Sequence, residues 1–314
     1  MSEVVVNQRR WVAGRPVDVV ATWGPLHRGG GDPTWRMRAG TLWRGVRTPG
    51  GPVTLAVSVN RDQEAVSARA WGTSDGVEWT LDALPDMLGA RDHLEGFDAS
   101  NPLLRQALKA HPGWRVPRTG LVMESLVPAI IEQKVTGQEA FAGFRQLVLH
   151  WGTVAPGPGA DLGLRVQPDV AAMRAIPSWE WLELGISPNR ADTIAGVLSR
   201  AARLAETAGL ELPQARRRLM AVPGIGVWTA AETAQRALGD ADAVSFGDYH
   251  VAKNIGWALT GREVDDQGLV EVLAPYAPHR YRVQRLLALA GLQRPRHGAR
   301  MSPRGHIPIR RSRR

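Results

Sequence analysis

The sequence predicts an α+β protein, with an antiparallel β-rich unit over residues 1–97 and an all-α unit over residues 98–291. Two observations carry that expectation. Up to Phe97, β-branched and aromatic residues alternate with polar ones between Gly-rich stretches, and six of the twelve tryptophans fall there. Beyond Phe97 the pattern turns helical, and Pro, Asp or Ser stands at many of the run starts, as helix N-termini prefer.

In order, Val17–Trp23 and Thr34–Arg38 read as strands with partial alternation, and Val53–Val59 and Ala65–Trp71 alternate more cleanly. The last two flank the turn-like Asn60-Arg61-Asp62-Gln63 and form a hairpin. Gly29–Gly31 and Gly50–Pro52 separate strands, and a short helix over Glu78–Leu88 crosses the sheet. The tryptophans of this unit read as core filling. Helices are expected at Pro102–Ala110, Leu121–Trp151, Pro168–Ala175, Ser178–Leu184, Pro188–Ala208, Pro213–Met220, Val227–Leu238, Tyr249–Leu259 and Gln267–Ala290. Thr136-Gly137-Gln138 divides the second of these in two, and a Pro/Gly-rich loop follows at Val154–Gly163.

The absence of cysteine removes disulfides, thiolate zinc sites and cysteine-ligated iron–sulfur clusters. No apolar run approaches 18 residues and no basic-then-apolar leader opens the chain, so no membrane partner is expected and the cytoplasm is the expected compartment. The net charge of +9 is unevenly spread: eight arginines and no acid lie between Arg294 and Arg314, which leaves the body close to neutral. A nucleic-acid face must then be a local patch. The tail, residues 292–314, has three prolines and no apolar period, and disorder is expected there.

The most informative stretch runs from Leu219 to Ala258. One helical run ends at Met220, Val222-Pro223-Gly224-Ile225-Gly226 turns the chain, and a second run starts at Val227. A turn of this kind leaves the first N–H groups of the next helix pointing outward, which makes a seat for a phosphate. Twenty-two residues after Gly226 stands Asp248, at the head of another helical run. A phosphate seat with one carboxylate a helix away suggests chemistry on a nucleic-acid strand.

These residues resemble the helix-hairpin-helix DNA glycosylases with a Gly/Pro-rich loop and a catalytic Asp. Val222–Ala230 and Phe246-Gly247-Asp248-Tyr249 carry the resemblance, which is nearest to the AlkA-like 3-methyladenine DNA glycosylase II branch. Support comes from His111–Pro117 with Leu126–Val135, from Leu184-Gly185-Ile186 with Arg190-Ala191, and from Pro278-His279-Arg280-Tyr281. Together these cover about residues 108–290. The resemblance implies a β-rich N-terminal domain and an all-α helix-hairpin-helix glycosylase domain, acting as a monomer on duplex DNA with damaged bases.

It implies these roles as well. Gly224, Gly226 and Trp228 amides clamp a phosphate, helped by a monovalent cation on the carbonyls of Met220, Val222 and Ile225; no other cofactor is required. Gln133 and Lys134 fill the gap left by an extruded base, although the branch normally has an apolar wedge at Lys134. Trp228, Tyr249 and Tyr281 line the base pocket, with electron-rich rings suited to a cationic alkylated purine. Glu232 and Ala288 depart from this pattern, for they stand where relatives carry aromatics. Asp248 stabilises positive charge on the sugar and also suits a helix cap; Asp242 is the fallback. Trp228 occupies the position of the Schiff-base lysine of lyase-type relatives, so a monofunctional hydrolase of alkylated purines is expected. Arg190, Arg280 and the tail add phosphate contacts. Two alternatives stay open: a deaminated or oxidised base on the same scaffold, or a DNA-binding protein without catalysis.

Overall fold

A computed structural model describes residues 3–60 and 62–295. Five strands form one antiparallel sheet in the order β1-β5-β4-β3-β2: β1 (Val5–Val12), β2 (Trp35–Arg38), β3 (Thr41–Thr48), β4 (Gly51–Asn60) and β5 (Ala65–Gly72). The expected hairpin closes with Asn60 opposite Ala65. Leu55, Val57, Val66 and Ala70 are buried on the sheet's core side, under α2 (Ser74–Met87). That helix starts four residues before the expected position because the Thr73 hydroxyl caps it, accepting the Gly76 N–H at 3.2 Å.

One expected strand is a helix. Val17–Trp23 contains α1 (Val19–Trp23), because the Asp18 carboxylate accepts the Ala21 N–H at 2.9 Å. Packing then settles the matter: Trp23 is fully buried, and its indole N–H donates to the Met87 carbonyl at 2.7 Å. Two strands of this sheet, β1 and β3, went unexpected. β3 carries Arg44 and Gly45 in its centre, which breaks the apolar alternation. In the fold the Arg44 guanidinium is buried against Glu124 at 2.8 Å.

The helical part comprises α3 (Pro102–Ala110), α4 (Val122–Ile131), α5 (Gly137–Trp151), α6 (Pro158–Asp161), α7 (Val170–Arg174), α8 (Ser178–Glu183), α9 (Pro188–Leu198), α10 (Ala201–Ala205), α11 (Leu212–Met220), α12 (Val227–Thr233), α13 (Val251–Thr260), α14 (Asp266–Leu273) and α15 (Arg280–Leu289). The division near Gly137 is as expected; Thr136 and Glu139 form a reciprocal capping box there. Two long runs are each broken. Pro188–Ala208 interrupts at Ser199–Arg200, and Gln267–Ala290 is split by Pro275 and Pro278, which cannot donate to a helical ladder. At the two ends of the Pro/Gly-rich loop, Thr153–Val154 (β6) pairs with Arg165–Val166 (β7), and Val166 packs with Trp43.

The main helical core gathers α4, α5, α9 and α12 around Leu126, Ile130, Leu147 and Ile194, all essentially inaccessible to solvent. A second core under α13–α15 holds Leu269, Leu273 and Val283. Buried polar contacts join the sheet to these helices. Glu124 on α4 takes Arg44 on one oxygen and the Arg47 backbone N–H on the other at 3.0 Å. Burial raises the Glu124 carboxyl above its ordinary range, and the Arg44 charge opposes that rise. Among the described residues no helix is long and apolar enough to cross a membrane. Most of the Arg-rich tail, from residue 296, lies outside the described residues; Arg294 pairs with Glu263 at 2.5 Å.

Candidate active site

Helices α11 and α12 meet in the turn Ala221–Gly226. Val222 and Ile225 bury their side chains in the helical core, which turns Pro223, Gly224 and Gly226 to the outside. Gly224 has φ +86°, and a Cβ there would collide with the Thr193 side chain. Gly226 differs. Its φ is −91°, and an added Cβ would meet nothing within 4 Å. The protein itself therefore leaves room at Gly226, directly before the uncapped first turn of α12. Gly226→Glu should fold as the wild type does, yet weaken binding to every duplex by about tenfold or more, since it sets a carboxylate at the expected phosphate seat. Fluorescence anisotropy on damaged and undamaged duplexes checks this; a loss confined to one lesion would refute the clamp.

Asp248 lies beside α12, the helix that follows this turn. Its Oδ1 accepts the backbone N–H groups of His250 at 2.8 Å and Val251 at 3.2 Å, which ties the carboxylate to the start of α13. Its Oδ2 lies 3.4 Å from the Trp228 indole Nε1. Expected catalytic and hairpin residues are thus brought together, with Trp228 between them.

Beneath Asp248 the Ser245 hydroxyl is a hub the sequence did not reveal. It donates to Glu232 Oε1 at 2.6 Å and accepts from Gln235 Nε2 at 2.9 Å and Gln284 Nε2 at 3.0 Å. The Ser245 carbonyl accepts the Asp248 N–H at 3.2 Å, so three side chains hold the turn that presents Asp248. Val and Thr are near-isosteric and differ at the hydroxyl. Ser245→Val should slow single-turnover base release by about tenfold or more, while Ser245→Thr retains it; equal rates in the two variants would remove this role.

Glu232 belongs also to a buried ionic chain. Its second oxygen pairs with Arg236 at 2.7 Å, Arg28 pairs with Glu132 at 2.8 Å, and the Pro25 carbonyl accepts from both arginines, at 2.9 Å from Arg236 Nε. Burial alone would lower the Arg236 pKa, but Glu232 and Glu132 together hold it above the ordinary value. The backbone makes a π-helical turn over Ala234–Leu238, a spacing that sequence periodicity does not announce. Glu232, Arg236, Tyr281 and Arg285 line a cleft of about 220 Å3, together with Pro25 of the N-terminal segment.

Several expected site residues sit elsewhere or act differently. Gln133 is fastened to the hairpin, its Nε2 donating to the Gly224 carbonyl at 3.0 Å and to Thr229 Oγ1 at 2.8 Å. Lys134 is exposed and holds φ +55°, a strained conformation for a side chain of its length, at the turn between α4 and α5. Tyr281 is buried in the cleft wall, whereas Tyr249 is 68% exposed and lies under the Lys253 ammonium at 4.0 Å. Arg190 and Arg280, expected to contact phosphates, both have partners within the protein. Arg190 is buried and donates to the carbonyls of Ile131 and Gly185, and Arg280 is bound to Asp242 through two donors. That pairing engages Asp242, the fallback carboxylate, with a guanidinium. At the expected cation seat, the Val222 carbonyl accepts the Ile225 N–H at 3.0 Å, which leaves one lone pair for an ion.

No family model matches the chain. Over 181 residues it is 30% identical to a Mycobacterium tuberculosis protein named "Probable bifunctional transcriptional activator/DNA repair enzyme AlkA". The match takes in 56% of this chain, and the chain spans only about a third (34%) of the relative's length. Among solved structures, an Archaeoglobus fulgidus 3-methyladenine DNA glycosylase superposes with TM-score 0.73 at 18% identity, covering 90% of this chain and 98% of that one. The fold is that of the helix-hairpin-helix DNA glycosylases. MBOgg1 in complex with a low-affinity DNA ligand gives TM-score 0.69 at 16% identity over 92% of this chain and 98% of its own. A Clostridium acetobutylicum 8-oxoguanine glycosylase/lyase gives 0.66 at 13% identity over 92% and 96%. These neighbours share the fold of this chain, and the two whose names specify a base differ in it.

Proposed function

We propose that this chain is a monofunctional DNA glycosylase of base-excision repair, hydrolysing the N-glycosidic bond of a damaged purine in duplex DNA. The observation that carries the reading is the Asp248 carboxylate, fastened to the α13 start and facing Trp228 on the hairpin helix. The hairpin amides hold a backbone phosphate, and a monovalent cation on the carbonyls of Met220, Val222 and Ile225 would offset phosphate charge. The target nucleotide turns out of the stack, and the exposed Lys134 turn occupies the vacated space.

As the C1′–N bond lengthens, the sugar gains oxocarbenium character, which a fixed carboxylate stabilises without reorganising. Asp248 also orients the attacking water. Only three lysines occur in the chain and none lies in the hairpin, so water rather than an amine attacks C1′. Alkylated purines of the 3-methyladenine type are the substrates the sequence resemblance implies.

Duplexes carrying N-methylpurines, hypoxanthine or 8-oxoguanine, followed by alkali to reveal abasic sites, test the reading. Base release without strand scission is the expected result. Scission before alkali, trapped by borohydride, would refute the monofunctional assignment.

A further inference from the structure

We infer that the outer face of the five-stranded sheet is a second contact surface for the phosphate backbone of duplex DNA, separate from the hairpin, and that Arg10, Arg38 and Arg69 carry its charge. The partner is DNA on the glycosylase reading, on which the assignment rests; the surface itself is set by strand register.

Successive side chains of a strand point to opposite faces. Leu55, Val57, Val66 and Ala70 pack under α2, so their neighbours along β4 and β5 stand on the other face. Register sorts those neighbours into rows. In one row Arg36 pairs with Trp43, Trp43 with Ala56, Ala56 with Arg69, and Arg69 with Gln8. In the next row Arg38 pairs with Thr41 on one side of the sheet, and Ser58 with Ser67 and Ser67 with Arg10 on the other. Each row carries two guanidinium groups, and neither holds a carboxylate. Guanidinium, hydroxyl and amide groups are the side chains that contact nucleic-acid phosphates.

The cations of this face are open to solvent. Arg10, Arg38, Arg69 and Ser67 are exposed. Among the described residues none of the three arginines has a carboxylate partner; Arg10 donates to the Gln63 side-chain oxygen at 2.8 Å, and Arg69 lies over the Trp71 ring at 5.3 Å. Asp62 and Glu64 belong to the turn between β4 and β5, beyond the two rows. At the opposite end the loop between β6 and β7 closes over the sheet, with Gly157 against Trp71 and the Trp71 ring stacked on Trp43 at 5.6 Å.

Arginine on an edge strand can serve simply to block pairing with another chain, and Arg10 on β1 and Arg38 on β2 do stand at edges. Arg69 stands on β5, between β1 and β4, where no edge needs protection. It is a diagonal neighbour of Arg10, at about 7–8 Å, so two like charges share the face with no acid beside them. A phosphate between them relieves that repulsion. The hairpin, by contrast, has no charged side chain from Ala221 to Trp228. Its amides can seat a phosphate with partial charges only, whereas long-range attraction and salt-dependent affinity come from full ones. From Arg10 to Arg38 the face spans roughly 19 Å across the strands, enough to meet several phosphates of one duplex. Such contacts add affinity without sequence or lesion preference.

The test compares the full-length wild type with Arg10→Gln/Arg38→Gln/Arg69→Gln, using fluorescence anisotropy on an undamaged duplex across a salt series. The plot of log affinity against log salt should lose about 2–3 from its slope, and affinity at low salt should fall by about tenfold or more. The matching triple Lys variant should keep the wild-type slope. Thermal melts should coincide with wild type, as exposed substitutions allow, and single-turnover base release at saturating enzyme should be unchanged, because none of the three residues belongs to the Asp248 site. An unchanged slope with folding intact would overturn the inference and leave the glycosylase reading standing. A loss of binding to phosphatidylserine vesicles without any loss on duplex would overturn it too, by making the face a membrane contact. A reduced slope in the triple Gln variant, beside a wild type that releases no base from any duplex, would support the surface and overturn the glycosylase reading instead.

Discussion

Asp248→Asn is expected to lower single-turnover base release by about 10²–10³-fold, the usual cost of removing one preorganised electrostatic contact to the transition state. The substitution is informative because it separates two roles. Asp248 Oδ1 accepts the His250 and Val251 N–H groups, and the Asn side-chain oxygen can accept the same pair. Asn and Asp cap helices about equally well, so the melting temperature and duplex affinity should stay close to wild type. Only the negative charge beside Trp228 is lost. Release undiminished in this variant, with folding intact, would sink the catalytic assignment. Asp248→Ala should add a stability loss of about 1 kcal/mol from the missing cap, visible in a thermal melt.

The second large effect concerns stability. Arg236→Met should destabilise the fold by about 3–5 kcal/mol, the range for removing one partner of a buried ion pair. Glu232 would keep its charge with only the Ser245 hydroxyl to satisfy it, and the Pro25 carbonyl would lose a donor. A fall in melting temperature on the order of 10 °C follows for a chain of this size. Adding Glu232→Gln should recover most of it, because the amide oxygen can still accept from Ser245 and no buried charge is left. A single variant that melts within about 2 °C of wild type, or a double variant no better than the single, would show that solvent already screens this pair.

Much of the helical architecture was legible because its signals are local. Pro102, the Thr136/Glu139 box and the Pro-Gly turn at 223–224 mark boundaries through backbone geometry that neighbouring residues set. Strand β3 was not legible, because a buried arginine at its centre looks like a surface residue until Glu124 is found 80 positions later. Val17–Trp23 shows the reverse error: alternation suggested a strand, but one cap from Asp18 and one pocket for Trp23 make it a helix. At the site, the hairpin and Asp248 could be read from spacing. The functions of the arginines could not, since Arg190 and Arg280 look free in sequence and are spent on internal partners in the fold.

By itself, then, the sequence determined the turn at Val222–Gly226 and the carboxylate that follows it, because both are encoded by short-range conformational preference. Tertiary structure alone decided what surrounds them. It fastened Gln133 to the hairpin across 91 positions and brought the Pro25 carbonyl to Arg236 across 211. A charged side chain carries no mark of its future partner. Its meaning is set by which other charges packing brings within a few ångströms, in a medium where an unpaired one is costly.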